Sequence, residues 1–121
     1  MLSPRELQAE VLYCKSLLAG VGGLDVMAQA YAADALREAD AALKLEPQEP
    51  RSLLARGMIL LQLAELAMKR RDSTTALGHA IDAAQTAKGM RNDHRQAYIL
   101  LEAHIKRGQA FLPASLPRAY E

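Results

Sequence analysis

A pattern of alanines recurs in this sequence and constrains its fold more than any other feature. Steps of three and four residues place each set on one face of a helix. The two sets, 41 residues apart, are Ala35, Leu36, Ala39 and Ala42, and then Ala76, Leu77, Ala80 and Ala83. Leu12 and Leu53 keep the same offset. Because alanine lets helix backbones approach closely, the pattern predicts two equivalent helices that pack tightly against their neighbours.

Start and stop signals divide the chain into five predicted helices. Ser3, Pro4 and Glu6 form a capping box for the first, which ends at the glycines of residues 20–23. The second runs from an Asp25 cap to about Leu45, the third from Pro50 to about Arg71, the fourth from Asp72 or Ser73 to about Lys88, and the fifth from an Asn92 or Asp93 cap to Gly108. Strict alternation is lacking, so an all-α fold is expected.

The segment from Ala35 through Pro47 to Leu53, Gly57 and Leu60 resembles a tetratricopeptide repeat (TPR), and the resemblance covers about residues 31–108. It implies antiparallel helical hairpins stacked as a short right-handed superhelix. A standard repeat has about 34 residues, so this chain would carry about two extra helical turns per repeat. A closed helix bundle is the competing architecture.

Length and composition bound the domain organisation. The 121 residues suffice for one domain, predicted over residues 1–108, with a tail at 109–121 that is extended unless Phe111, Leu112 and Leu116 fold back over apolar surface. Half of the residues are hydrophobic, but only 4% are aromatic. The core is therefore expected to consist of alanine and leucine.

The distribution of charge and the absence of targeting signals limit the kinds of partner and the location that are expected for the chain. Residues 1–50 carry four basic and eight acidic side chains, and residues 51–121 carry eleven and six. The basic residues are scattered among acids, which argues against nucleic acid as a partner. No secretory or membrane segment is visible, and the single cysteine excludes an internal disulfide. A soluble, cytoplasmic protein is expected.

The residues that could support chemistry have structural explanations. Cys14 lies on an apolar stripe of the first helix with Leu7, Val11, Leu17 and Leu18, and is expected to be buried. The three histidines lack the spacing of a compact metal site, and the glycines of residues 20–23 lack the Lys and Ser/Thr of a phosphate-binding loop. We therefore predict a protein that is not an enzyme and has no cofactor or metal.

The TPR resemblance implies that the first, third and fifth helices line a groove for a partner segment. The predicted partner-binding residues are Arg51, Leu54, Met58, Leu61 and Gln62 on the third helix, and Gln96, Ile99, Ala103, Lys106 and Arg107 on the fifth. The predicted function is a non-enzymatic interaction module, an adaptor or chaperone that binds an apolar helical or extended segment of another protein. A self-associating helical bundle and a small-molecule-binding helical domain are the alternatives.

Overall fold

The computed structural model describes residues 4–115, and every regular element in that range is an α-helix. The elements are α1 (Pro4–Val21), α2 (Asp25–Leu45), α3 (Pro50–Lys69), α4 (Ser73–Lys88) and α5 (His94–Ser115). The all-α prediction is therefore confirmed. Ser3 of the predicted capping box and Leu116 of the tail lie outside the described residues.

Acidic side chains cap three of the helices. The carboxylate of Glu49 accepts a hydrogen bond from the backbone N–H of Ser52, which begins α3 just before Pro50. Asp72 caps α4, and Asp93 accepts from the first backbone N–H groups of α5. Each carboxylate satisfies a donor that the helix itself leaves without a partner. The cap predicted for α2 is wrong, because Leu24 occupies that position and Asp25 lies in the first turn.

The fifth helix does not end at Gly108 as predicted, but continues to Ser115. Ala110, on this added segment, is buried in a small cluster with Ala67 of α3 and Ala76 of α4. This packing stabilises the helix beyond a glycine that would cost about 1 kcal/mol relative to alanine in an isolated helix. Residues 109–115 therefore belong to the helical fold rather than to a separate tail.

The first hairpin (α1 and α2) and the second hairpin (α3 and α4) are equivalent at a spacing of 48 residues, so the predicted offset of 41 is wrong. Three backbone hydrogen bonds of the turn between the helices recur at this spacing. In the first hairpin, the N–H groups of Gly22, Gly23 and Leu24 donate to the carbonyl oxygens of Leu18, Gly20 and Ala19, respectively. In the second, those of Arg70, Arg71 and Asp72 donate to Leu66, Met68 and Ala67. The alanine pattern matches at either spacing, because the seven-residue difference is close to two helical turns.

The buried residues of α2 are all alanines, and those of α4 are alanines apart from Thr86. The equivalent buried residues are Ala28, Ala32, Ala35 and Ala39 in α2, and Ala76, Ala80, Ala83 and Ala87 in α4. Side chains of this size let two helix axes approach toward the short end of the usual 8–10 Å range. The larger core residues, Ile59, Leu60 and Ile99, lie on α3 and α5.

The apolar stripe of α1 is exposed, contrary to the prediction that it faces the core. Leu7, Val11 and Leu18 are exposed, and so is Cys14. The buried face of α1 is the opposite one, with Ala9, Leu12, Ser16 and Ala19. Ser16 can be buried because its hydroxyl donates to the carbonyl oxygen of Ala28 at 2.8 Å. The size of the apolar side chains therefore does not determine which face of α1 is buried.

Candidate functional site

The helices are arranged so that the odd-numbered ones share a surface. Each helix contacts the next along the chain, and α3 also contacts both α1 and α5. Within the described residues, α2 and α4 have no Cα atoms within 8 Å of each other, and neither do α1 and α5. The helices therefore do not close into a bundle, and one face of α3 lies between α1 and α5.

This face contains a shallow groove of about 150 Å³. Its lining comes from all three odd-numbered helices: Tyr13 of α1, Met58, Leu61, Gln62 and Glu65 of α3, and Tyr98, Glu102 and Lys106 of α5. Met58, Leu61 and Glu65 follow one another at three- and four-residue steps, so this face of α3 forms the floor of the groove.

Two tyrosines contribute to opposite sides of the groove. Tyr13 is partly buried and packs on the main hydrophobic core, whereas Tyr98 is 48% exposed. Burial raises the pKa of the Tyr13 hydroxyl, and Tyr98 and Cys14 add to this shift. The hydroxyl of Tyr13 is therefore neutral at physiological pH. Tyrosine offers a large apolar ring and a polar end, the combination that is enriched in protein interfaces.

Charged side chains lie on one end of the groove. Lys106 of α5 forms an ion pair with Glu65 of α3, with Nζ and Oε2 2.8 Å apart. The lysine side chain is only 16% exposed, so its methylene groups cover apolar surface while the ammonium reaches the carboxylate. This pair ties α5 to α3 beside the two tyrosines and makes that end of the groove polar.

Gln62 connects the groove to the first hairpin. Its side-chain amide donates to the Ser16 hydroxyl at 3.3 Å, and that hydroxyl donates in turn to the Ala28 carbonyl oxygen. A chain of two hydrogen bonds thus runs from α3 through α1 to α2. One end of Gln62 is held by this chain, which orients the side chain at the edge of the groove.

The structure brings four of the predicted partner-binding residues together. Met58, Leu61, Gln62 and Lys106 all line the groove, although Leu61 is almost fully buried in its floor. Leu54, also predicted, lies in a separate depression of about 340 Å³ that includes Leu53, Met90, Arg91 and Arg95. The predicted set is therefore divided between two surfaces of α3.

The remaining predicted residues have other contacts. Arg51 forms a two-point ion pair with Glu10 of α1. The side-chain amide of Gln96 donates to the carbonyl oxygen of Ala87, in the last turn of α4, and to that of Met90, just after the helix. Both side chains therefore hold helices together instead of lining the groove.

The predicted placement of Ile99, Ala103 and Arg107 in the groove is wrong. Ile99 and Ala103 are completely buried. Ile99 packs against the backbone of Gly57, where an added Cβ would lie 3.2 Å from its Cγ2 atom. Arg107 is exposed but does not line the groove. The register of α5 is rotated from the predicted one because the absence of a side chain at Gly57 allows Ile99 into the core.

Sequence reasoning missed four groove residues: Tyr13, Glu65, Tyr98 and Glu102. The two tyrosines carried a usable signal, because large aromatic residues are scarce in a chain with one Phe and four Tyr. Predicting that both tyrosines line one groove would have required the orientation of α5 about its axis, which no local sequence pattern predicts.

No protein-family model, curated protein or solved structure matches this chain. In the part of the chain that the structure describes, no helix has the length and apolar character needed to cross a membrane. The same residues contain no group of three or more His, Cys, Asp and Glu side chains that is arranged to hold a metal ion.

Proposed function

We propose that the chain is a TPR-like interaction module that binds an apolar segment of another protein along the groove of α1, α3 and α5. The observation that carries this proposal is the shared lining of the groove by Tyr13, Met58 and Tyr98, which come from three different helices. A flexible thioether between two aromatic rings suits a surface that accepts an apolar side chain.

The size and chemistry of the groove favour a peptide over a small molecule. Sites for drug-sized ligands usually have volumes of about 300–1,000 Å³ and enclose the ligand, whereas this groove has about 150 Å³. That space accommodates one or two side chains of an extended or helical segment. Glu65, Glu102 and Lys106 supply polar contacts beside the apolar part. An adaptor or chaperone in the cytoplasm is the role that we infer for such a module.

The test is affinity capture from the native cells with two matched variants of α5. Tyr98→Glu places a charge in the groove, where an apolar segment of the partner would have to desolvate it. Leu101→Glu is the control, since Leu101 is 59% exposed on the same helix and does not line the groove. Neither substitution removes a buried side chain, so both variants are expected to keep the helical circular dichroism spectrum.

The expected result is a partner that is recovered with the wild-type chain and with Leu101→Glu, and is lost with Tyr98→Glu. Overlapping peptides of that partner should then locate one apolar segment that binds the purified wild-type chain. Equal recovery with all three chains would place the interaction outside the groove. A tightly bound small molecule in native mass spectra would instead support the ligand-binding alternative.

A further inference from the structure

A depression of about 340 Å³ lies where two loops of the chain meet, separate from the groove of α1, α3 and α5. Gln48 and Pro50, between α2 and α3, line one side, and residues from the segment 89–95, which leads from α4 into α5, line the other. The depression and the groove have no lining residue in common. Its volume falls within the range of about 300–1,000 Å³ that is usual for small-molecule sites.

The floor of the depression is apolar. Leu53 is 9% exposed, and Leu54 and Met90 are partly buried and pack on the main hydrophobic core. The loop after α4 is held in place, because the backbone N–H of Met90 donates to the Ala87 carbonyl oxygen at 2.9 Å and its own carbonyl oxygen accepts from Gln96. An apolar group that enters the depression would therefore release water from a floor that the fold already provides.

The rim of the depression is positively charged. Arg91 is exposed, and among the described residues its side chain has no ion pair and no hydrogen bond. Nη2 of Arg95 lies 3.8 Å from Oδ2 of Asp93, whose carboxylate already accepts hydrogen bonds from the first backbone N–H groups of α5. Two arginines and one aspartate give the lining a net charge of +1. The guanidinium of Arg91 is therefore available to an anion.

Gly89 leaves the depression open, although the fold does not require a glycine at this position. Its φ of −83° is one that L-residues commonly adopt, so the backbone conformation does not select glycine. An added Cβ would lie 3.5 Å from the Thr86 carbonyl oxygen and 4.0 Å from the Cδ atoms of Leu53, which are ordinary van der Waals distances. A larger side chain at this position would therefore extend over Leu53 and fill the depression.

We propose that the depression binds a small organic acid, whose apolar group lies on the floor and whose carboxylate pairs with the guanidinium of Arg91. The planar guanidinium can donate two parallel hydrogen bonds to a carboxylate. The net charge of +1 matches a monoanion better than a phosphate monoester, which carries nearly two negative charges at neutral pH.

The apolar floor selects against a fully polar anion. Such an anion would lose hydrogen bonds to water over Leu53, Leu54 and Met90 and gain none there. An acid with an apolar body avoids this cost and adds the burial of its own apolar surface. The proposal concerns a second site, so it does not rest on the function proposed for the groove.

The test uses phenylbutyrate, which joins an apolar ring to one carboxylate, and phenylbutyramide, its neutral amide, as the matched control ligand. Each compound is titrated into the full chain, and binding is followed by the backbone amide NMR signals. We expect phenylbutyrate to shift the signals of residues 48–54 and 89–95 with a dissociation constant of about 1 mM or lower, a value consistent with its small size. The amide should bind at least about tenfold more weakly, because it lacks the charge that pairs with Arg91.

Two pairs of variants locate the site. Gly89→Leu fills the depression and should abolish binding, whereas Gly78→Leu places the same side chain on α4 where an added Cβ meets no atom within 4 Å. Arg91→Gln removes the guanidinium and should weaken binding by about tenfold. Arg107→Gln removes an exposed arginine that does not line the depression. Neither Gly78→Leu nor Arg107→Gln should change the dissociation constant.

Two further features keep the test decisive. Arg91 is exposed, so Arg91→Gln should keep the helical circular dichroism spectrum even if Gly89→Leu does not fold. Tyr98→Glu should bind phenylbutyrate as the wild type does, because Tyr98 lines the groove and not the depression. Failure of one proposal therefore leaves the other standing.

Three results would overturn the proposal. The first is the absence of shifts at residues 48–54 and 89–95 with phenylbutyrate at up to about 10 mM, a concentration at which a site of this affinity is occupied. The second is equal affinity for phenylbutyrate and its amide, which would mean that the arginines do not contribute. The third is unchanged binding in Arg91→Gln, or in a Gly89→Leu chain that keeps its helical spectrum.

Discussion

Gly23 and Arg71 occupy equivalent positions in the two hairpins and share an uncommon backbone conformation. Each follows an odd-numbered helix and has a positive φ, 77° for Gly23 and 62° for Arg71. The same turn therefore serves a glycine in one hairpin and a side chain with a Cβ atom in the other. For an L-residue this conformation costs about 1–2 kcal/mol, so the second turn is formed at an energetic cost that the first avoids.

The first prediction follows from this pair. Arg71→Gly should stabilise the protein by about 1 kcal/mol, because it removes the strain, and Gly23→Ala should destabilise it by a similar amount. Arg71 is exposed, so few contacts are lost with its side chain. Urea unfolding followed by circular dichroism measures both changes. Shifts of the same sign in the two variants would contradict the structural equivalence of the turns.

The second prediction concerns the contact between Gly57 and Ile99. Gly57→Leu should destabilise the protein by about 2–3 kcal/mol, because a Cβ at this position already lies 3.2–3.3 Å from Ile99 atoms. Gly78→Ala is the control. An added Cβ there meets no atom within 4 Å, and the better helix propensity should stabilise the protein by about 1 kcal/mol. If Gly57→Leu is neutral in urea unfolding, α5 does not pack as described.

The third prediction tests the alanine packing of the second hairpin. Ala80→Leu should cost about 1–3 kcal/mol, because Ala80 is fully buried on α4 and the additional atoms force the helices apart. Gln85→Leu introduces the same side chain at an exposed position of α4 and should change the stability little. Thermal unfolding of the two variants gives the comparison. Equal melting temperatures would show that this face of α4 does not pack closely.

The fourth prediction concerns acid. The side-chain hydroxyl and backbone N–H of Thr75 lower the pKa of Asp72, and the backbone N–H of Arg95 lowers that of Asp93. A carboxylate whose pKa is lower in the folded state stabilises it above the unfolded pKa, and this stabilisation is lost as the pH falls below about 4. Urea unfolding at neutral pH and at about pH 3 should therefore show acid destabilisation.

A neutral cap separates this effect from general acid unfolding. Asparagine caps helices about as well as aspartate does, so Asp72→Asn should lose less stability between the two pH values than the wild type. An equal loss in both proteins would mean that the ionised form of Asp72 does not contribute to the pH dependence.

Much of the helical architecture was predictable from local signals. Pro50, Asp72 and the alanines of α4 each act within one helical turn or along one face, and they gave the helix order and most boundaries. The helix end predicted at Gly108 is wrong because Ala110 is buried against α3 and α4. This long-range contact outweighs the low helix propensity of glycine.

The face that α1 buries could not be predicted from the size of its side chains. The stripe with Leu7, Val11 and Leu18 is the more hydrophobic face, but α2 meets the side with Ala9 and Ala19 because that side allows the close approach set by the alanines of α2. The groove was predicted in part, because Met58 and Leu61 on α3 were among the predicted partner-binding residues and line it. On α5 the position of Ile99 depends on Gly57, which is distant in sequence.

The alanine-lined contacts between helices determine which kinds of substitution destabilise this protein. In most cores the common lesion is truncation, in which a large side chain is lost and a cavity remains. Ala32, Ala35, Ala80 and Ala83 have almost nothing to truncate. Nearly every amino acid available to these positions is larger, so a saturation screen should find them tolerant of glycine or serine and intolerant of leucine, the reverse of the ranking in a leucine-filled core.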